Sequence, residues 1–149
     1  MEWNVYLSGE IHTKWREEIK QSCKKLNLPI EFTEPITNHE LSDNCGAEIL
    51  GQDIDKFWKD HKSAKLNSIR IKSSIEQADI VIIRFGEKYK QWNVAFDAGY
   101  AYGLSKPIIV IHQEEHQHAL KEIDAVALAV TKNIKQVVRV LQYTIKGEI

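Results

Sequence analysis

Residues 79–111 read DIVIIRFGEKYKQWNVAFDAGYAYGLSKPIIVI. The run from Asp79 to Phe85 is almost continuously apolar, the pattern of a strand covered on both faces in a parallel sheet. A short polar loop, GEKYKQ, follows. WNVAFDAGYAYGLS then reads as a helix, which Lys106-Pro107 ends before a second buried strand, IIVIH. Two strands joined by one helix make a βαβ unit, with parallel strands and a right-handed crossover. Inside that helix a single acid, Asp97, stands among Phe96, Ala98 and Gly99. Two readings are open for it. It is either an acid placed near the positive end of the helix dipole, or a nucleophile or ligand anchor at the rim of the sheet.

The flanking sequence repeats the alternation. WNVYLSG (3–9) is a short strand ending at a glycine turn. In IHTKWREEIKQSCKKLNL the apolar residues Ile11, Trp15, Ile19, Cys23 and Leu26 recur at helical steps, with Thr13 expected as cap. IEFTEP is a second strand. PITNHELSDNCGAEILGQD (35–53) is rich in turn formers and reads as a long polar loop, and long loops are often functional. Residues 53–78 are helical. Beyond the central unit come a loop with a short helix (113–124), AVALAV (125–130) as a strand or helix, and an amphipathic C-terminal helix with Thr131 at its start. The predicted fold is α/β: one domain, 1–149, with a three-layer, doubly wound, mostly parallel five-stranded sheet of flavodoxin-like type.

A net charge of −1 over 149 residues leaves no electrostatic footprint for a nucleic-acid polymer or an anionic membrane surface. No segment reaches the length of a membrane span, and MEWNVYLSGE lacks a signal peptide's basic start. Cys23 and Cys45 lack C-x-x-C spacing, so free thiols and a cytoplasmic setting are expected.

In such sheets ligands sit beyond the carboxyl ends of the strands. That rule selects 8–13, 33–44, 84–97 and 112–118. In the first stretch Ser8 and Gly9 border a turn whose N–H groups can meet a ligand, with Glu10 and His12 beside them. No G-x-G-x-x-G is present, and no cofactor is expected. In the second, His39, Asp43 and Asn44 are too loosely spaced for a metal site, so none is expected, and a polar loop over a hydroxyl-rich ligand fits better. In the third, Arg84, Gly86 and Lys88 precede Tyr89 and Trp92, with amides at Gln91 and Asn93. Flat faces beside paired donors and acceptors suit a base or a sugar. Trp92 and Phe96, at i and i+4, can equally be a core stripe. Asn67 and Arg70 share one helix face and can reach the rim together. Arg70, Arg84 and Lys88 are the available phosphate readers.

Three stretches, VYLSGEIHT, ADIVIIRFG and FDAGYAYGLSKPIIVI, resemble the nucleoside 2-deoxyribosyltransferase superfamily. With TNHELSDNCG, FWKDHKSAKLNSIR and KYKQWNVAFDAGYAYG the chain is similar, over nearly its whole length, to the YtoQ branch of that superfamily. The resemblance implies a nucleoside or nucleotide as partner, a homo-oligomer, and N-glycoside chemistry through a carboxylate nucleophile at Asp97, oriented by Tyr6. Ala98, Gly99, Ala101 and Gly103 offer a close-packing face for assembly. The established enzymes usually carry Glu where this chain has Asp97, so the reacting oxygen retreats by about 1.5 Å. A misplacement near 1 Å can cost on the order of a hundredfold in rate. Acids that hold and protonate the base in those enzymes correspond to positions near Ile71 and Gln91, neither acidic here. His12, His39 and Glu10 are then the candidates for protonating a leaving base. The alternative is a nucleoside- or nucleotide-binding module on the same fold without turnover.

Overall fold

The computed structural model describes residues 1–88 and 91–149; Tyr89, one of the predicted flat faces, lies outside the described residues. The elements are β1 (Trp3–Ser8), α1 (Trp15–Lys25), β2 (Ile30–Thr33), α2 (His39–Leu50), α3 (Lys56–Gln77), β3 (Ile80–Arg84), α4 (Trp92–Gly103), β4 (Ile108–Ile111), α5 (Lys121–Val126), β5 (Ala129–Thr131) and α6 (Ile134–Lys146), with a 3₁₀ turn at Glu114–His116. Among the described residues one five-stranded sheet forms, in the order β2-β1-β3-β4-β5, with every neighbouring pair parallel. The predicted βαβ unit is β3-α4-β4, with Arg84 in register with Ile111.

Alternation along the strands builds the two faces. Val5 and Leu7 of β1, with Ile80 and Ile82 of β3, pack against Trp15 and Ile19 of α1 and Val137 and Leu141 of α6. Tyr6, Val81 and Ile83 face the other way, against Ile75 of α3 and Val94, Ala98 and Ala101 of α4. Burial on both sides is what makes the strands read as continuous apolar runs.

Several expectations are corrected. The stretch 35–53 is not a loop: its middle is α2, so Cys45 is helical and half-buried rather than in a loop. The Asn38 side chain accepts from the Leu41 N–H at 2.9 Å and caps that helix. Packing then overrides the turn-forming tendency of Ser42, Asp43 and Asn44. Thr13 does not cap α1, because its hydroxyl is turned to the Glu10 carboxylate. Thr131 ends β5 and bonds the Val110 carbonyl, while Asn133 caps α6. The small-residue face of α4 is split: Ala98 and Ala101 are buried in this chain's own core, whereas Gly99 and Gly103 have open space beside them.

The seam between α2 and α3 is tight. A Cβ on Gly46 would lie 2.6 Å from both the Ser63 nitrogen and the Lys62 Cβ. The Ser63 hydroxyl accepts from Gly46 N–H at 3.0 Å and donates to the Asp43 carbonyl at 2.7 Å. In an isolated helix alanine would gain about 1 kcal/mol over glycine, but overpacking costs about 1–3 kcal/mol. Gly46→Ala is therefore expected to lower the melting temperature by a few degrees (about 2–4 °C per kcal/mol). A rise in the thermal melt would overturn this account of the seam.

Candidate active site

The site is built around the end of β1. Past Ser8 the chain passes so close to its neighbours that a Cβ on Gly9 would lie 2.6 Å from the Trp15 ring and 3.2 Å from the Arg84 Cβ. Arg16 holds this turn from beneath. It is 2% exposed, and its guanidinium donates to the carbonyls of Leu7 (3.2 Å), Glu10 (2.7 Å) and Gly9 (2.8 Å). The Trp15 indole N–H adds a bond to the Glu10 carbonyl at 3.0 Å. The Glu10 side chain folds back over the turn. Its Oε2 accepts from the N–H groups of His12 (2.6 Å) and Thr13 (3.0 Å), and its Oε1 from the Thr13 hydroxyl and from Arg84 Nη1 (2.8 Å). Burial alone would raise this carboxyl, but those donors outweigh it and hold it below the usual range.

Asp97 reaches the same place from the buried side of α4. The Ser8 hydroxyl donates to its Oδ2 at 2.6 Å. Oδ1 has no hydrogen-bond partner among the described residues. Asp97 is 8% exposed. Burial pushes its carboxyl from 3.8 up to about 6, and the Ser8 bond opposes part of that rise. Because β1 and β3 are neighbours in the strand order, Ser8 and the helix after β3 meet at the topological switch point, where doubly wound sheets place their ligands.

Above Asp97 opens a cleft of about 690 Å³, within the size range of small-molecule sites. Gly9, Glu10, His12 and Asp97 lie toward the sheet. His39 and Asp43 of α2, with Ser63 and Asn67 of α3, form one wall; Gln91, Asn93, Phe96 and Tyr100 form the other. The Gln91 Oε1 accepts from the Gly86 N–H at 3.2 Å, and its buried Nε2 has no partner among the described residues. The Tyr100 hydroxyl donates to Glu76 at 2.5 Å at the far end.

Of the residues singled out from sequence, Asp97, Gly9, Glu10, His12, His39, Asp43, Gln91 and Asn93 line the cleft. Others are placed differently. Tyr6 is fully buried, and its hydroxyl makes no hydrogen bond among the described residues; burial first, then the charge of Asp97, raises it above its ordinary value. The hydroxyl that reaches Asp97 is that of Ser8, which lies behind the acid rather than in the cleft lining. Arg84 is engaged by Glu10, and Gly86 supports Gln91. The Asn44 side chain bonds the Glu40 carbonyl at 2.9 Å, outside the lining. Trp92 is 77% exposed and does not line the cleft, and Phe96 is a wall of it, so the two are not a core stripe. Asn67 lines the cleft as expected and also ties α3 to Ser42, whereas Arg70 donates to the Glu34 carbonyl at 3.0 Å and stays out of the lining. The fourth predicted rim stretch stays off the cleft: His112 is tied to Asp124 of α5 at 2.9 Å.

Of α3, the sequence pointed to Asn67 and Arg70 alone; Asn67 does line the cleft, and the share of Asp60, Ser63, Ala64, Ser68 and Ile71 was missed. A signal for it exists in the sequence: Asp60, Ser63, Ala64, Asn67, Ser68 and Ile71 recur at helical spacing as a polar and small stripe, and all line the cleft.

A model of the family described as Nucleoside 2-deoxyribosyltransferase YtoQ matches residues 6–145. Protein YtoQ of Bacillus subtilis (strain 168), described as uncharacterized, is 46% identical over 148 residues, covering 99% of this chain and 100% of that one. Among solved structures, a 2-deoxyribosyltransferase from Bacillus psychrosaccharolyticus matches with a TM-score of 0.57 at 17% identity, covering 91% of this chain and 90% of that one. The CMP N-glycosidase of Clostridium botulinum matches with a TM-score of 0.53 at 13% identity, covering 95% and 98% respectively. At these identities the two structures share the fold with this chain.

Proposed function

The chain belongs to the Nucleoside 2-deoxyribosyltransferase YtoQ family, and from that premise we propose that it is an N-glycoside-processing enzyme acting on a nucleoside or nucleotide, with Asp97 as nucleophile. The observation that carries this reading is the asymmetry of the Asp97 carboxylate: Ser8 fixes one oxygen at 2.6 Å, and the other has no partner among the described residues at a cleft on the switch point. In the first step Oδ1 attacks the anomeric carbon, the C1′–N bond breaks, and its electron pair leaves with the base. The transition state resembles an oxocarbenium ion, which the nearby negative charge stabilises. In the second step water or an acceptor base displaces the carboxylate, giving hydrolysis or transfer. Phe96 and Tyr100 offer flat faces to a base, and the unpartnered Gln91 Nε2 offers a donor.

The test is a panel of 2′-deoxynucleosides and their 5′-monophosphates, with and without an acceptor base, analysed for base release and exchange. Turnover that disappears in Asp97→Ala supports the enzyme. Saturable binding with no turnover on any member would leave a binding module instead.

Ser8 gives this reading a pH signature. Asp97 must be ionised to attack, so kcat/KM should fall on the acid side near pH 6. The Ser8 bond favours the charged form, and a hydrogen bond to a charged group contributes about 1.5 kcal/mol or more, equivalent to about one pH unit. Ser8→Ala is expected to move the acid limb upward by about that much. A limb that stays in place would remove Ser8 from this role.

A further inference from the structure

We propose that Glu10 is a specificity-determining residue: its carboxylate fills the anion cradle of the β1–α1 turn, and the cleft therefore takes a nucleoside and refuses its 5′-monophosphate. The assignment rests on the glycosyl-transfer reading above. The turn after the first strand is where a doubly wound sheet gathers donors for a phosphate. Backbone N–H groups that converge in one turn form a concave anion site, and the helix that follows adds its positive end. Here the converging donors are the N–H groups of His12 and Thr13, the Thr13 hydroxyl and Arg84 Nη1. All of them are given to one anion, the chain's own Glu10.

This plug is part of the fold. Glu10 is 8% exposed, and Arg84 meets it from β3 at 2.8 Å. Gly86 leaves room for the pair: a Cβ there would lie 3.3 Å from Glu10 Cγ and 3.1 Å from Arg84 Nη1. Burial raises the Glu10 carboxyl, but its contacts with Thr13, His12 and Arg84 outweigh that and hold it below the usual range, so it is charged at neutral pH. The same contacts occupy both oxygens, which takes Glu10 out of the candidates for protonating a leaving base.

The rest of the cleft offers a phosphate little. Glu10, Asp43, Asp60 and Asp97 line it, against Lys72 as the sole lysine or arginine among the described lining residues. Lys72 stands over the Tyr100 ring, 6.0 Å from its centre, on the wall proposed for the base. The cations expected to read a phosphate are placed elsewhere. Arg84 is held by Glu10, Arg70 donates to the Glu34 carbonyl, and neither Arg70 nor Lys88 lines the cleft. Ser8, which holds Asp97, is two residues from Glu10. A sugar seated on Asp97, with its base on the wall of Phe96, Tyr100 and Gln91, thus borders the turn that Glu10 fills. A 5′-hydroxyl brings no charge to that turn. A 5′-phosphate sets its own charge beside a fixed carboxylate, and like charges brought together suppress binding steeply.

The experiment measures a ratio. Wild type, Glu10→Ala and Glu10→Gln are assayed on matched pairs, each common 2′-deoxynucleoside beside its 5′-monophosphate, and kcat/KM is taken for both members. A general loss of activity lowers both values and leaves their ratio in place. Wild type should favour the nucleoside by about 100-fold or more. Glu10→Ala, which frees the cradle, should narrow that preference by about tenfold or more. Glu10→Gln, which keeps the shape without the charge, should narrow it by about threefold or more, and it decides the matter by the same ratio should Glu10→Ala fail to fold. Calorimetric titration with inorganic phosphate needs no turnover: folded Glu10→Ala should bind it and wild type should not. A wild type that uses the monophosphate as well as the nucleoside overturns the assignment. So does a preference that neither variant narrows, or equal phosphate titrations of wild type and folded Glu10→Ala. Failure of the parent reading looks different: the wild type would cleave no member of any pair, and the assignment would fall with it.

Discussion

The Asp97→Asn protein is expected to melt several degrees above the wild type at pH 7.5 and to lose on the order of 10³-fold or more in turnover. Both effects come from one cause. Asp97 is taken out of water by α4 and the end of β1, and its carboxyl sits near 6 instead of 3.8. A folded-state value raised above the unfolded one means that the fold prefers the protonated acid. The stability linked to Asp97 is fully present below about pH 4 and is lost as pH rises to 6 and beyond. At neutral pH the fold carries a cost with a ceiling of about 3 kcal/mol, which solvent in the cleft reduces to roughly 1–3 kcal/mol. Asparagine keeps an oxygen for the Ser8 hydroxyl and has no charge to desolvate, so that cost is removed. The same substitution deletes the proposed nucleophile. Calorimetric melts at pH 4 and pH 7.5, run beside the base-release assay, check both halves. The stability gain should be present at pH 7.5 and largely absent at pH 4. Equal melting temperatures at pH 7.5 would mean that Asp97 is not a desolvated charge.

Arg16→Met carries the largest expected loss of stability. The guanidinium holds three points at the end of β1 and in the turn that follows, the carbonyls of Leu7, Gly9 and Glu10. Methionine fills much of the volume and donates nothing. The Glu10 carbonyl keeps the Trp15 indole, while those of Leu7 and Gly9 lose the Arg16 bonds. Each unsatisfied buried group costs about 1–3 kcal/mol, against which the relief of burying a cation counts. The contact to Glu34 is long, at 4.0 Å, and adds little. A net loss of about 3 kcal/mol corresponds to roughly 6–12 °C in melting temperature. Arg16→Lys should fall nearly as far, because one ammonium cannot match the planar fork. Thermal denaturation of both variants is the check, and a drop under about 2 °C in Arg16→Met would contradict the role of this side chain.

The layers of the fold were legible because burial on both faces leaves a plain mark. β3 and β4 read as unbroken apolar runs, and the helix between them forces the parallel pairing. Asp97 was legible for a related reason, as an acid in an apolar, small-residue helix following a central strand. What propensity hid was α2. Ser42, Asp43 and Asn44 favour turns when taken alone; the Asn38 cap and the fit of α2 against α3, with Gly46 on Ser63, make the helix the better answer. The choice between Tyr6 and Ser8 was hidden as well. Both point to the same face of β1, two residues apart, and the pairing of Ser8 with Ile83 decides which reaches α4. Arg16 looks like an ordinary charge in a first helical turn; its burial follows from how soon α1 begins after the strand. The saturation of Glu10 depends on Arg84, 74 residues away in sequence, and no local pattern reports it.

The seam between α2 and α3 also bears on how this protein can diverge. α2 supplies His39 and Asp43 to the cleft, yet it contributes no residue to either of the two hydrophobic clusters on the sheet. Substitutions on its cleft-facing side therefore change the lining of the cleft without touching the two clusters that keep Asp97 in position. Cleft lining and scaffold are thus carried by separate segments in this architecture, so the shape of the cleft can vary through one peripheral helix.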